Sequence, residues 1–90
     1  MDNNKYAKWA DILKTLGHPI RIRILETLME NEKCVSTIWA HLDLPQSTVS
    51  QHLSLLRSKG IVQHERSGSK VKYFVRDKKI QEIIRLIKAR

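Results

Sequence analysis

Ninety residues with 41% apolar and 29% charged side chains make one globular domain. No apolar run approaches the roughly 18 residues that cross a bilayer, and the polar start Met1-Asp2-Asn3-Asn4-Lys5 lacks the apolar stretch of a secretory signal. A single cysteine, Cys34, excludes an internal disulfide framework and fits a reducing compartment, so a cytoplasmic protein without membrane partners is expected.

The spacing of Tyr6, Trp9, Ala10 and Leu13 predicts a first helix over about Asn4 to Leu16, with these four on one face. Gly17 stops it, and Pro19 suits the first turn of a second helix, where its missing N–H would lack a partner anyway. That helix runs to about Glu30 and buries Ile20, Ile24, Leu25 and Leu28; Asn31 and Glu32 read as a turn. A third helix covers about Ser36 to Leu42, with Ser36 as N-cap and Ile38, Trp39 and Leu42 as its apolar residues.

The short connection Asp43-Leu44-Pro45 forces an angled helix pair, and a fourth helix follows from about Pro45 to Lys59. Gly60 in the left-handed conformation, with Ile61 folding back onto Leu56, gives it a Schellman stop. The period then changes. Val62 to Arg66 and Lys70 to Arg76 read as two strands, with Val71, Tyr73 and Val75 on one face and Ser67-Gly68-Ser69 as the hairpin turn. A last helix over about Asp77 to Ala89 carries Ile80, Ile83, Ile84 and Ile87 on one stripe. The fold class is therefore mainly α with a β-hairpin wing, in the order α-α-α-α-β-β-α. Helices of this kind with a hairpin make a winged helix-turn-helix, as one domain over residues 1–90.

The net charge of +8 is one-sided. Residues 1–45 balance Lys5, Lys8, Lys14, Arg21, Arg23 and Lys33 against Asp2, Asp11, Glu26, Glu30, Glu32 and Asp43, so the whole excess lies in residues 46–90. A concentrated basic region is what a phosphate surface needs, because each cation placed on a phosphate releases counterions. A solvated surface or an anionic membrane would also accept it; charge alone does not choose.

The fourth helix does. Val49, Leu53 and Leu56 anchor it, while Gln46, Ser47, Ser50, Gln51 and Ser54 share the opposite arc without a formal charge. A merely solvated face would favour Lys and Glu, which are better helix formers than Ser. Short hydroxyls and amides approach base edges closely, and Gln pairs with adenine N6 and N7. His52, on the flank nearer Leu56, reads as a partly buried, locally bonded side chain. Arg21, between Ile20, Leu25 and Leu28 on the helix wheel, reads as a structural ion-pair or carbonyl partner.

The string Leu44-Pro45-Gln46-Ser47-Thr48-Val49-Ser50-Gln51-His52-Leu53, closing in Leu55-Leu56-Arg57-Ser58-Lys59-Gly60-Ile61-Val62, resembles the recognition helix of the ArsR/SmtB family of bacterial repressors. Leu16-Gly17-His18-Pro19-Ile20-Arg21-Ile22-Arg23-Ile24-Leu25 resembles the start of that family's second helix, and within the family the recognition string resembles that of PagR-like regulators. The resemblance implies that Gln46, Ser47, Ser50 and Gln51 face the major groove and that Thr48 contacts a phosphate. Pro45 stands where a capping Ser is usual, so side-chain capping is lost there.

Arg66, Ser67, Lys70 and Lys72 gather charge and hydroxyls at the hairpin tip, where phosphate contact or minor-groove entry is expected over a merely solubilised turn. Tyr6, Trp9 and Leu13 of the first helix and Ile80, Ile83, Ile84 and Ile87 of the last exceed what one such domain hides. The family builds its two-fold dimer from those helices, so they are the expected dimer interface. Packing of the two stripes on each other within one chain is the alternative.

The family's metal sites are not matched. A Cys-x-Cys pair is replaced by Cys34-Val35-Ser36, and the last helix has Asp77 and Glu82 but no histidine. His18, His41, His52 and His64 are dispersed, and structural metal sites use three or four ligands. No cofactor, metal or small-molecule ligand is expected, nor is an enzyme, since no nucleophile–base pair, glycine-rich phosphate loop or carboxylate dyad appears. The expected function is a nucleoid-associated, sequence-specific repressor binding double-stranded DNA as a homodimer. Alternatives are a sensor on the same scaffold, switched by redox at Cys34 or by metal, and a winged-helix protein-interaction module.

Overall fold

The computed structural model describes the backbone of residues 3–30 and 33–89, and their side chains outside 33–37. Five helices and three short strands follow in the order α1 (Asn3–Leu16), α2 (Pro19–Glu30), β1 (Lys33–Cys34), α3 (Val35–Leu42), α4 (Gln46–Ser58), β2 (Gln63–Ser67), β3 (Lys70–Phe74) and α5 (Lys78–Lys88). The mainly α winged helix-turn-helix expected from the sequence is present. The turn read at Asn31 and Glu32 lies outside the described residues.

The core joins every helix. Ile12, Leu16, Ile24, Leu25, Leu28, Ile38, Leu42, Val49, Leu53, Leu56, Ile61, Val62, Val75, Ile80 and Ile84 form one buried cluster. Removing an aliphatic side chain of this kind from water contributes about 1.5–3 kcal/mol. On α1 the inward face is Ile12, Thr15 and Leu16, not the stripe counted from Tyr6. Trp9 lies between the two faces and is partly buried, whereas Tyr6 and Leu13 point outward. The α1 sequence is apolar around more than half its circumference, so a count begun at Tyr6 finds the outer stripe.

Both helices of the helix-turn-helix end on the same device. At the end of α3, Leu44 N–H donates to the Trp39 carbonyl at 3.1 Å and Asp43 N–H to that of Ala40 at 3.4 Å. Asp43 is left-handed at φ 55°. At the end of α4, Ile61 N–H donates to Leu56 O and Gly60 N–H to Arg57 O, both at 2.9 Å, with Gly60 at φ 74°. These are the paired bonds of the Schellman stop. The second was expected from Gly60; the first was not, because aspartate enters the left-handed region only occasionally.

Other boundaries shift by small amounts. Helix α3 begins at Val35, one residue early, so Ser36 sits inside its first turn instead of capping it. Strand β3 ends at Phe74, and Val75 turns into the core beside it. Strand β2 starts at Gln63 because Ile61 and Val62 are buried beneath the helices. Strand β1 was not foreseen: two residues hold no period, yet they pair with β3 (Lys33 with Tyr73, Cys34 with Lys72), making β3 the centre of an antiparallel sheet ordered β1-β3-β2. The side chain of Asp77 caps α5, accepting from the N–H groups of Lys79 at 2.8 Å and Ile80 at 3.1 Å.

A polar junction fixes α4 against α1 and α2. Arg21 donates from Nη1 to the carbonyl of Thr15 at 3.0 Å and from Nε to Nδ1 of His52 at 3.2 Å. His18 accepts at Nδ1 from Ile20 N–H at 3.1 Å, and its ring lies 4.6 Å from that of His52, tilted by 60°. Arginine has no acceptor, so the His52 ring must be neutral at Nδ1 to take this bond. Burial first, then the charges of His18 and Arg21, lower the His52 pKa from its ordinary 6.5. Arg21 thus has the carbonyl partner expected of it, and His52 is partly buried as expected but bonded to Arg21 of α2 instead of locally.

Two outcomes follow. Gly60→Ala should cost roughly 1–2 kcal/mol in a denaturant melt, although a Cβ there meets nothing within 4 Å, while Asp43→Gly should be neutral or stabilising because it relieves the same left-handed strain. The unfolded chain binds a proton at His52 more readily than the folded one, so this contribution to stability is complete above pH 6.5 and is lost as pH falls through the depressed folded-state value. Thermal melts across that range should show the fall in the wild type and a shallower one in His52→Asn, whose amide still accepts from Arg21.

Candidate nucleic-acid interface

Helix α4 is held by three side chains with essentially no exposure, Val49, Leu53 and Leu56. Spaced i, i+4, i+7, they fix its rotation, and the other arc must then face outward. Gln46, Ser47, Gln51 and Ser54 are exposed there, with Ser50 and Thr48 half-buried at its margins. The structure thus brings together all five uncharged residues singled out on this face. Pro45 occupies the N-cap position without a side-chain hydrogen bond. Its carbonyl accepts the first helical bond, from Val49 N–H at 3.2 Å, and the N–H groups of the turn before Val49 have no partner within the helix. They sit at the positive end of its dipole.

The wing is set by register. Ser67 pairs with Lys70 across a two-residue turn, Gly68-Ser69, with Gly68 at φ 64°. A positive φ at the first loop position matches the right-handed twist of hairpin strands. Ser67 therefore belongs to the strand, and the turn is shorter than the three residues expected. Arg66, Ser67, Lys70 and Lys72 are all exposed. Lys72 stands opposite Glu65, so the charge of the hairpin is concentrated at Arg66 and Lys70.

Two contacts join wing and helix to their surroundings. Gln63 donates from Nε2 to the Gly60 carbonyl and accepts at Oε1 from Arg76 N–H, both at 3.0 Å, locking the start of β2 between the α4 stop and the strand leading to α5. Arg57, in the last turn of α4, lies 3.3 Å from Nε2 of His64 on β2, and the His64 ring stacks on Tyr73 at 5.9 Å. Neither Arg57 nor His64 was among the residues expected to contact DNA, although Arg57 was counted as positive charge at the end of the fourth helix. Position i+11 from Gln46 puts Arg57 on the reading arc, a signal the sequence did hold; its contact with His64 depends on the hairpin docking and was not legible.

The terminal helices divide differently from expectation. Ile80 and Ile84 are each 1% exposed inside the chain's own core, so neither side chain is available to a second protomer, and Ile83 is only partly exposed beside them. The reason is that α5 packs on α2 through this stripe. Tyr6, Leu13, Leu86 and Ile87 remain exposed. Lys79 reaches over the Trp9 ring at 5.5 Å, bringing α5 beside α1. Leu86 was not singled out from sequence because it falls off the isoleucine stripe.

A cleft of about 160 Å³ lies between α2 and α5, lined by Glu26, Met29, Glu30, Ile84, Arg85 and Lys88, with Lys88 paired to Glu30 at 3.7 Å. Among the described residues no group of three or more His, Cys, Asp or Glu is placed to hold a metal ion. The Cys34 side chain lies outside those described. No described helix is long and apolar enough to cross a membrane.

Comparison with known proteins agrees with this architecture. Residues 18–64, from the α2 cap through α4 to the first wing strand, match the family described as "Bacterial regulatory protein, arsR family". The chain is 42% identical over 84 residues to an HTH-type transcriptional regulator of Methanocaldococcus jannaschii, covering 92% of this chain and 94% of that one. It is 39% identical over 79 residues to the transcriptional repressor PagR of Bacillus anthracis, 87% of this chain and 79% of that protein. The crystal structure of PagR superposes with a TM-score of 0.88 at 36% identity, over 96% of this chain and 99% of that chain. Reduced HlyU from Vibrio cholerae superposes at 0.87 and 32% identity, over 94% and 90%. With α3 and α4 as its helix-turn-helix and β2–β3 as the wing, the chain belongs to the arsR family of bacterial regulatory proteins, DNA-binding transcriptional regulators and not enzymes.

Proposed function

We propose that the chain is a sequence-specific repressor that binds double-stranded DNA as a homodimer and acts by covering an inverted-repeat operator. The carrying observation is the uncharged arc Gln46-Ser47-Ser50-Gln51-Ser54, exposed except for the half-buried Ser50, on a helix that three buried residues hold in one rotation. Gln46 and Gln51 pair with base edges, the serines permit close approach, and Thr48 with the α4 N-terminus takes a phosphate. Arg66, Ser67, Lys70 and Lys72 of the wing add backbone contacts that position the reader without specifying sequence.

The homodimer reading rests on the exposed apolar side chains of the terminal helices. Tyr6, Leu13, Leu86 and Ile87 are 61%, 51%, 68% and 50% exposed, and the Trp9–Lys79 contact places α1 beside α5. Ile83 and Trp9 border them. A two-fold pairing of these faces would set two copies of α4 about one DNA turn, ~34 Å, apart. Such a regulator works in the cytoplasm, on the nucleoid.

A duplex carrying a site selected from genomic fragments tests this reading. Gln46→Ala or Gln51→Ala should lower discrimination against mixed-sequence DNA by about 1–3 kcal/mol, whereas Lys70→Gln should weaken both duplexes alike and flatten the salt dependence. Equal affinity of the wild type for selected and mixed duplexes contradicts sequence-specific repression. Sedimentation should show a dimer that Leu86→Glu with Ile87→Glu converts to monomer; a wild-type monomer at micromolar concentration contradicts the pairing.

A further inference from the structure

We propose that Arg57 and His64 form a phosphate-binding site where the recognition helix meets the wing, and that DNA binding there takes up a proton on His64. This rests on the DNA-binding reading above and adds to it a site and a pH dependence. Arg57 follows Ser50 by seven residues and Gln46 by eleven, so all three lie on one arc of α4. Eleven residues span about 16 Å of helix axis, and a recognition helix meets base edges through its N-terminal residues, which leaves its last turn for the backbone. With the N-terminal part of this arc over base edges, Arg57 stands above the bounding phosphate backbone.

The chemistry of the pair fits that position. Arg57 Nη1 lies 3.3 Å from His64 Nε2. A guanidinium only donates, so Nε2 accepts and the ring carries its proton on Nδ1. From β3 the ring meets Tyr73, stacked at 29°; from α4 it meets Arg57. On its own strand Arg66 shares its face, and Val71 stands opposite Arg66. Glu65 and Lys72 pair across the hairpin on the other face. Among the described residues no carboxylate forms an ion pair with Arg57 or His64.

The pair therefore presents a guanidinium that no carboxylate among the described residues balances. A backbone phosphate supplies the balancing anion. Arg57 turns its planar fork onto it, which suits phosphate oxygens, and Nε2, released from accepting, takes a proton from solvent and becomes a second donor to the same phosphate. The shared anion offsets the repulsion between the two cations. Affinity then rises as pH falls, through one proton per protomer.

A fluorescent mixed-sequence duplex of about 30 base pairs suffices, since phosphate contacts carry no sequence. Fluorescence anisotropy over a salt series should give a slope reduced by about 1 per bound protomer for Arg57→Gln and an unreduced one for Arg57→Lys. Between about pH 8 and about pH 6, where imidazole ordinarily protonates, the wild type should tighten about threefold or more beyond His64→Gln. His18, His41 and His52 are present in both proteins, so that difference isolates His64, and thermal melts confirm that each variant is folded. An unchanged salt slope in Arg57→Gln, or the same pH response in wild type and His64→Gln, overturns the proposal. A wild type that does not bind the duplex overturns the DNA-binding reading and this proposal with it.

Discussion

The rotation of α4 about its own axis is the constraint on which the rest of the structure depends. Val49, Leu53 and Leu56 seat one face of the helix in the core against α2 and α3, and close packing leaves such a helix no freedom to roll. A turn of even one residue, about 100°, would carry Ser50 into the core and Val49 into solvent. The axial position is fixed as firmly. A Schellman stop with a left-handed residue lies before α4 and another after it, Arg21 pins its middle through His52, and Lys59 pairs with Asp11 of α1 at 3.1 Å. A reading face gains specificity from this rigidity, since hydrogen bonds to base edges tolerate little positional error.

The wing shares the same frame. Ile61 and Val62 are buried immediately after the α4 stop, so the hairpin springs from the core a few residues beyond the reader. Gln63 then ties its base to Gly60 and to Arg76. Helix and wing are thus one rigid element with two chemistries. The N-terminal arc of α4 offers amides and hydroxyls; its last turn and the hairpin offer cations. Half of the sequence's excess charge lies on this helix end and hairpin; the other half lies in residues 76–90, around α5. In the proposed reading, the division between the two chemistries separates the task of choosing a sequence from the task of holding the backbone.

What the sequence revealed, and what it hid, follows from how local each signal is. The outward arc of α4, the Gly60 stop and the structural roles of Arg21 and His52 were legible because helix period and glycine conformation are properties of short segments. Strand β1 was not, since its two residues owe their conformation to β3, about 40 positions later. The two apolar faces of α1 and the isoleucines of α5 could be recognised as apolar but not assigned a partner. Periodicity shows that Ile80 and Ile84 must be covered; only the fold shows that α2 covers them while Leu86 and Ile87 stay open. The Arg57–His64 contact is hidden for the same reason, because it exists only once the hairpin has docked.

The central claim, that the arc opposite Val49, Leu53 and Leu56 reads DNA, is tested most directly by an amide NMR titration with a duplex carrying a selected genomic site. The account predicts that the largest shift changes and slowed exchange map to residues 46–54, with a second group at 66–72, while the amides of α5 move little. Changes centred on the exposed end of α5 or on the α2–α5 cleft, with 46–54 unmoved, would contradict it.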